Sequence, residues 1–547
     1  MPTVIEHVLN RLRAIGVRDV FGVPGDYSFG VSDAISAHPD TSWIGCSNEL
    51  NAAYAADGYA RLTGVGAIST TFGVGELSAL NGVAGAFAEH LPVFHLVGTP
   101  DTTTQRKRTL MHHTLGIGDY GAYTRMAEPV VCAQAVMTPE NVVVETERLI
   151  TAALYHRRPV YMAFPADLVN QPVLCQPVTI PPITSDSSAL SAAVQAILAA
   201  LENAETAVVL PGIMITRVGA QATLQRFIDS AGLPFATMFM AKSVLDEQHS
   251  GYVGIYDGSL MNEGVKKFVE TRDLVIDIAS PFTDFNSGAF TSAIDPTTLI
   301  TIGHHSTHVH GLEYPNVEIA DILTELASRV GHRTWATITP ETAPPAQGSG
   351  DDRITVDALY PRWTQFLRPD DLIVAETGTI SMGLGFSRLP QGATFYNQTL
   401  WGSIGWATPA AFGVAVAAPE RRVLLFTGDG SHQLTAQEIG QFGRRGLTPI
   451  VFVLNNSGYL IERLLCKNPA IEYNDIAPWN YTQLPAAFGC ENWYTARVTT
   501  CAELDDALTA AAASPTGAYI EIVTDPYAAS PLAARLGESL KALRQGQ

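Results

Sequence analysis

Asp429 and Asn456 are the residues from which the chemistry of this chain can be built. They lie in residues 428–462, GDGSHQLTAQEIGQFGRRGLTPIVFVLNNSGYLIE. An apolar run ending at Phe426 delivers a tight Thr-Gly-Asp-Gly turn, Ser431 takes the place of a helix N-cap, and Gln433 to Phe442 carries helical spacing. A second apolar run, Pro449 to Leu454, stops at Asn455, Asn456, Ser457 and Gly458. The pattern predicts a strand, a helix and a parallel strand, whose two strand ends share one sheet edge, so Asp429 and Asn456 meet in one crevice. A carboxylate, an amide oxygen and the Gly458 carbonyl suit an octahedral magnesium completed by water or phosphate oxygens. A helix beginning beside Ser431 aims N–H groups and its positive dipole end at the same place. The expected guest is a metal-bound diphosphate. Gly, Asn and Asp also favour strand-end turns for conformational reasons alone, but two such pairs flanking a helix at this spacing point to cofactor binding.

Other chemistry-bearing residues are scattered along the chain. Glu49, in CSNELNAAYAADGYAR, opens a helix after the strand-like SWIGC, where a carboxylate is also a common dipole partner. Gly73 and Gly75 mimic part of a dinucleotide fingerprint, but no third glycine or acidic partner follows, which disfavours NAD. MHHTLGIGDY carries His112 and His113; neighbours in extended chain point opposite ways, so proton handling is expected rather than one shared metal. GHHSTHVHG, with His304, His305, His308 and His310, has no carboxylate or cysteine beside it and reads as an exposed turn or interface patch after a strand. VAETG ends a strand at Thr377, and QTLWGSIGWATPAAFG presents Gly402 and Ile404 ahead of a small-residue helix, which close packing also explains.

The elements that must carry these groups follow from the apolar runs. Over residues 1–180, VFGV, AISTTFGV, PVFHLVG and PVYMAFP alternate with helical patterns and predict a parallel sheet covered by helices. After the turn-rich PPITSDSS, residues 190–335 hold AVVLPGIMI, LVIDIAS and LITIG in a second α/β region. The Pro- and Gly-rich TPETAPPAQGSGDD marks a linker over residues 336–352, and residues 353–547 form a third α/β unit containing the opening motif. The expected fold class is α/β, with three doubly wound parallel-sheet domains.

Bulk properties narrow the function. The 547 residues exceed one core, and 46% hydrophobic with 16% charged content describes an ordinary soluble globular protein. A formal charge of -20 with no basic cluster argues against a nucleic-acid surface. Six cysteines, Cys46, Cys132, Cys175, Cys466, Cys490 and Cys501, include no CxxC and suggest reduced thiols in a cytoplasmic protein. The amino terminus reads as an amphipathic helix (Val4, Val8, Leu12, Ile15) with Glu6 and Asp19, not as a signal peptide, and no apolar run reaches bilayer length.

With VPGDYSFG and ETGTISMG added, the motifs resemble the thiamine-diphosphate-dependent 2-oxo acid decarboxylases along essentially the whole chain, nearest the pyruvate, indolepyruvate, phenylpyruvate and branched-chain enzymes. The resemblance implies three α/β domains that bind the aminopyrimidine, link, and bind the diphosphate. It implies active sites between subunits in a dimer of dimers, one subunit contributing Asp26, Glu49, His112 and His113, the other Asp429, Asn456 and Glu462. It also implies Asp429, Asn456 and the Gly458 carbonyl as magnesium ligands, with Gly430, Ser431 and Thr377 near the cofactor. Glu49 matches the carboxylate on the pyrimidine ring, Ile404 the wedge that bends the cofactor, and Gly402 the acceptor from its amine. The implied reaction is non-oxidative decarboxylation to an aldehyde through a thiazolium ylide, with Asp26, His112, His113 and Glu462 handling protons and the carboxylate.

Several positions leave the pyruvate-specific pattern. Thr379 stands where those enzymes tend to have Asp, and Ser381 where a large aromatic is common. With Met382, Ile461 and Leu536, the last in a closing helix within SPLAARLGESLKAL, they imply a wide pocket for aromatic, long or branched 2-oxo acids. Leu460 replaces a common Thr and His432 a common apolar residue. A pyruvate decarboxylase proper, a thiamine-dependent carboligase and a non-catalytic paralogue are the rival readings. The paired histidines with YLIE weigh against the carboligase, and the intact Glu49 set against the paralogue.

Overall fold

The computed structural model describes residues 1–545 except Cys175, Pro177, Thr179, Pro182, Ala343 and Phe386. One of the six cysteines and one residue in each of the two inter-domain stretches, PPITSDSS and TPETAPPAQGSGDD, therefore lie outside the described residues. The other five cysteines are free thiols.

Three sheets organise the chain. The first contains β1 (Asp19–Gly22), β2 (Ser42–Gly45), β3 (Gly66–Thr71), β4 (Val93–Thr99), β5 (Ala133–Val136) and β6 (Val160–Pro165). All its pairings are parallel, in the order β2-β1-β3-β4-β6-β5. The middle sheet contains β7 (Ala207–Pro211), β8 (Phe235–Thr237), β9 (Tyr252–Ile255), β10 (Leu274–Ile278), β11 (Leu299–Ile302), β12 (Ser306–Val309) and β13 (Leu312–Pro315). Its first five strands are parallel, and β12 and β13 add an antiparallel edge. The third contains β14 (Leu372–Ala375), β15 (Thr394–Tyr396), β16 (Val423–Gly428), β17 (Ile450–Asn455), β18 (Tyr494–Val498) and β19 (Ala518–Val523). It is wholly parallel, in the order β15-β14-β16-β17-β19-β18, which repeats the order of the first sheet.

The apolar runs become strands because helices cover both faces: β3, β4 and β6 are buried along their whole length. The first and third units share one core. Helix Glu49–Thr63 lies against helix Ala407–Ala417 at backbone contact, since a Cβ on Gly58 would stand 2.2 Å from the Ala410 carbonyl oxygen and one on Gly413 1.9 Å from that of Ala55. Buried polar pairs fix the same joint: Trp406 donates to Asp57 at 2.9 Å, Arg61 donates to the Asn397 carbonyl at 2.8 Å, and Asn51 donates to Glu438 at 2.7 Å.

Two expectations are corrected here. Ser431 is not an N-cap: the helix begins at Asp429, capped by extended Gly428, so Ser431 sits inside the first turn. The span from Gln433 to Phe442 is also broken, because Thr435 leaves helical geometry and splits it into Asp429–Thr435, a 3-10 turn at Ala436–Glu438, and Ile439–Arg444. The histidine-rich stretch enters an edge hairpin, in which His308 and His310 are exposed and His304 and His305 half-buried. His308 lies on β12 opposite Glu313, 3.7 Å away, and His305 stacks on Tyr155 while its Nδ1 lies 2.8 Å from Glu318. Carboxylates reach these histidines from the next strand and the segment after it, and burial pushes His304 down to about 3.

Candidate active site

The order of the third sheet reverses between β14 and β16, and a cleft opens beyond their carboxyl ends, where such folds place ligands. Thr377, Gly378, Ile404, Asp429, Gly430, Ser431, Asn456 and Gly458 line it, with Ile380, Leu454, Leu460 and Ile461 as apolar wall. Parallel pairing of β16 and β17, with Gly428 beside Leu454, brings the two polar strand ends together. Asp429 accepts from Gly430 N at 2.8 Å through one oxygen, and from Asn456 N at 3.1 Å and Gly458 N at 3.2 Å through the other. Burial pushes its carboxyl up to about 6, against the pull of these N–H donors. Among the described residues, the buried Asn456 side-chain oxygen has no partner and the Gly458 carbonyl accepts only Leu460 N, at 3.1 Å, which leaves it a free lone pair. Gly458 must be glycine, because its φ is +152° and a Cβ would lie 2.2 Å from the Asn474 carbonyl oxygen. A buried acceptor set of this kind fits a hard divalent cation.

Behind the cleft lies Glu376, 1% exposed, which sequence reasoning passed over although it adjoins Thr377. It accepts from Thr377 N at 3.2 Å, Gly405 N at 3.2 Å, Ala407 N at 3.3 Å and Thr427 Oγ1 at 3.4 Å. One carboxylate thus ties the loop carrying Gly402 and Ile404 to the ends of β14 and β16, and burial pushes it up to about 7. Gly402, at φ +64°, has Thr377 as the nearest neighbour of a hypothetical Cβ, 3.9 Å away. His432 is buried and bound to Thr408 at 2.9 Å, and desolvation lowers it to about 3.

The proposed substrate-pocket residues are divided. Ile461 lines the cleft, whereas Ser381 and Met382, on helix Thr379–Leu384, are buried beside it; Ser381 turns its hydroxyl to the Gly378 carbonyl at 3.0 Å. Leu536, on helix Pro531–Gln545, packs into the third-unit core against this helix and Leu460–Leu465. Glu462 projects from Leu460–Leu465 as an exposed side chain.

A second polar group forms at the carboxyl edge of the first sheet. His112 Nε2 lies 2.7 Å from Asp26, and Tyr27 stacks on His112 with ring centroids 4.9 Å apart. The two histidines do not diverge as extended neighbours would. His113 has φ +61°, a left-handed turn that brings the rings to 4.7 Å, so that ligand atoms of Asp26, His112 and His113 all lie within 4.8 Å of one another. The expectation of opposed rings is therefore corrected, because a left-handed residue breaks the alternation of extended chain. Glu49 begins its helix after the Asn48 cap, and a Cβ on Gly75 would stand 3.1 Å from its Oε1 and 3.1 Å from Thr71. Glu49 does not line the cleft of Asp429. The chain thus presents two separate polar groups, one at the edge of the first sheet and one at the edge of the third.

Comparison with known proteins finds three matched stretches. Residues 2–119, 194–329 and 376–522 match the sequence families described as thiamine pyrophosphate enzyme N-terminal TPP binding, central, and C-terminal TPP binding domains. An alpha-keto-acid decarboxylase of Mycobacterium ulcerans is 40% identical over 517 residues, covering 93% of this chain and 91% of the relative. Proteins of the same description from Mycobacterium avium and Mycobacterium bovis are also 40% identical, over 517 and 519 residues. In fold, a solved chain from Mycobacterium smegmatis assigned as a thiamin diphosphate-dependent enzyme superposes with a TM-score of 0.74 at 20% identity, covering 96% of this chain and 100% of that one. The chain belongs to the thiamine-diphosphate-dependent 2-oxo acid decarboxylase family.

Proposed function

We propose that this carboxy-lyase converts 2-oxo acids to aldehydes and carbon dioxide, with magnesium and thiamine diphosphate, favouring aromatic, long or branched substrates over pyruvate. The observation that carries the reading is the unpartnered Asn456 oxygen beside the buried Asp429 carboxylate. A lone buried acceptor costs stability unless a ligand engages it. Asp429, Asn456 and the Gly458 carbonyl would hold the cation, with Gly430, Ser431 and Thr377 near the diphosphate. Ile404 and Gly402, pinned through Glu376, would hold the rest of the cofactor in place. When bound, thiamine diphosphate supplies the electron sink for the carbon–carbon bond that breaks.

The protein's own groups do the rest. Glu49 would hold a proton at the pyrimidine ring nitrogen. Asp26, His112, His113 and Glu462 would orient the substrate carboxylate and deliver the proton that replaces it. The wall of Ile380, Leu454, Leu460 and Ile461 excludes water and offers apolar surface to a large substrate side chain. Ser381, buried beside this wall, carries a small side chain where an indole could stand.

A homo-oligomer with each site completed by a second copy follows from reading the two polar groups as half-sites. Exposed apolar groups around them support it, namely Val74, Leu110, Leu115, Ile117, Trp401 and Leu434. We read the first unit as pyrimidine-binding, the third as diphosphate-binding, and the assembly as a cytoplasmic dimer of dimers. No helix among the described residues is long and apolar enough to cross a membrane. The test is carbon dioxide and aldehyde release from a panel of pyruvate, branched-chain acids, phenylpyruvate and indolepyruvate without added acceptor. Higher kcat/KM for the larger acids is expected, and a strong preference for pyruvate would refute the substrate assignment.

A further inference from the structure

Arg463 is a cation enclosed in protein, 4% exposed, one helical turn beyond the Asn456–Gly458 loop. Its guanidinium donates from Nη1 to the carbonyl oxygens of Asn456 at 3.0 Å and Pro526 at 3.2 Å. From Nη2 it donates to the Ser457 carbonyl at 2.7 Å and to Asp475 at 2.9 Å. On the opposite side of the same loop, Asp429 accepts the N–H groups of Asn456 and Gly458. The three-residue backbone is therefore held between a buried anion that takes its N–H groups and a buried cation that takes its carbonyls. Gly458 fits this space only without a side chain, since a Cβ would stand 2.4 Å from Nη2.

The arrangement turns the Asn456 and Ser457 carbonyls onto Arg463. Among the buried oxygens of the loop, the Asn456 amide oxygen has no partner among the described residues and the Gly458 carbonyl is not turned to the guanidinium. A planar guanidinium can bind adjacent carbonyls at fixed spacing, which an ammonium cannot do. We propose that Arg463 is a positioning residue for the divalent-cation and diphosphate site. It presets the loop so that its two free oxygens face the cleft before the cofactor arrives. The inference rests on the assignment of that cleft to magnesium and thiamine diphosphate. Arg463 does not itself line the cleft and acts only through the backbone of the Asn456–Gly458 loop.

The test uses the full chain stripped of cofactor, titrated with thiamine diphosphate at fixed magnesium and followed by intrinsic tryptophan fluorescence. Comparison covers the native protein, Arg463→Met and Arg463→Lys, with apo thermal midpoints recorded for each. Losing an outer-shell partner of a metal ligand typically weakens affinity by about 10- to 100-fold. Arg463→Met should raise the apparent Kd within that range while kcat at saturating cofactor stays within about threefold, and Arg463→Lys should fall between Met and the native protein. An unchanged Kd in Arg463→Met, or a lower kcat at unchanged Kd, overturns the proposal. Should the Met variant fail to fold, the Lys variant decides: a native Kd overturns the proposal, and a raised Kd at native thermal midpoint supports it. Absence of magnesium-dependent binding by the native protein would instead overturn the assignment of the cleft itself.

Discussion

Replacing Asn456 by alanine should separate stability from cofactor binding. The Asn456 oxygen is buried without a partner in the ligand-free chain, and an unsatisfied buried acceptor costs about 1–3 kcal/mol. Relief of that cost offsets the packing that truncation to a methyl group gives up, so the ligand-free variant should melt no lower than the native protein and up to a few degrees higher. The loaded forms should differ in the opposite direction. At a cofactor concentration 100 times the native Kd, binding stabilises by about 2.7 kcal/mol, which at about 2–4 °C per kcal/mol for a domain of this size is about 5–11 °C. If loss of the amide ligand weakens binding about 100-fold, the same concentration yields only about 0.4 kcal/mol, or about 1–2 °C. Differential scanning calorimetry of both proteins, with and without magnesium and thiamine diphosphate at one scan rate, measures all four midpoints. A ligand-induced shift in the variant equal to the native shift would refute the ligand assignment. A ligand-free midpoint several degrees lower would show that the amide oxygen is satisfied within the protein.

Glu49→Ala should reduce turnover by more than the ~100- to 10,000-fold typical of losing a general acid–base group, with near-native aldehyde production as the contrary result. Glu376 yields a pH prediction with a definite sign. Its carboxyl, pushed up to about 7 by burial, keeps its proton while the unfolded chain ionises at its ordinary, lower value. Its contribution is therefore fully present below the unfolded pKa and is lost as pH rises through about 7, a change of about 3 kcal/mol. Glu376→Gln should remove that slope between pH 5 and 8 in denaturation of the ligand-free protein, and identical slopes in both proteins would count against it. Gly413→Val should destabilise the joint of the first and third units by at least the ~1–3 kcal/mol of overpacking, because the Ala55 carbonyl occupies the space a Cβ needs. Soluble, native-like melting of that variant would show that the helices can separate.

Much of the scaffold was legible because parallel strands buried on both faces are nearly continuous apolar runs, as VFHLVGT, LVIDI and IVFVLN are but for one or two polar residues each. The strands that escaped notice carry weaker signals. AQAV at β5 is short and only half-buried at a sheet edge, while β8 is three residues long and paired through a bulge. The cleft was legible in the Gly-Asp-Gly and Asn-Asn pairs, since each ends a strand and the spacing puts a helix between them. The convergence of His112 and His113 was not, because a left-handed histidine has no sequence signature comparable to glycine. Glu376, Glu438 and Arg463 were missed for a common reason: their partners are backbone groups or distant side chains. Glu438, for example, is reached by Ser47 and Asn51 from the other side of the molecule. An ETG or ERL triplet says nothing of which N–H or carbonyl it will meet.

The backbone contact between helices Glu49–Thr63 and Ala407–Ala417 ties the first and third units of one chain together. If each centre is completed by a second copy, as proposed, catalytic competence belongs to pairs of chains, and two differently crippled proteins should repair one another. Equal amounts of Glu49→Ala and Asp429→Ala chains, each inert alone and allowed to exchange subunits, would form hybrids with one doubly damaged and one intact centre. Random reassortment makes half of the pairs hybrid, so about a quarter of the native centres should return.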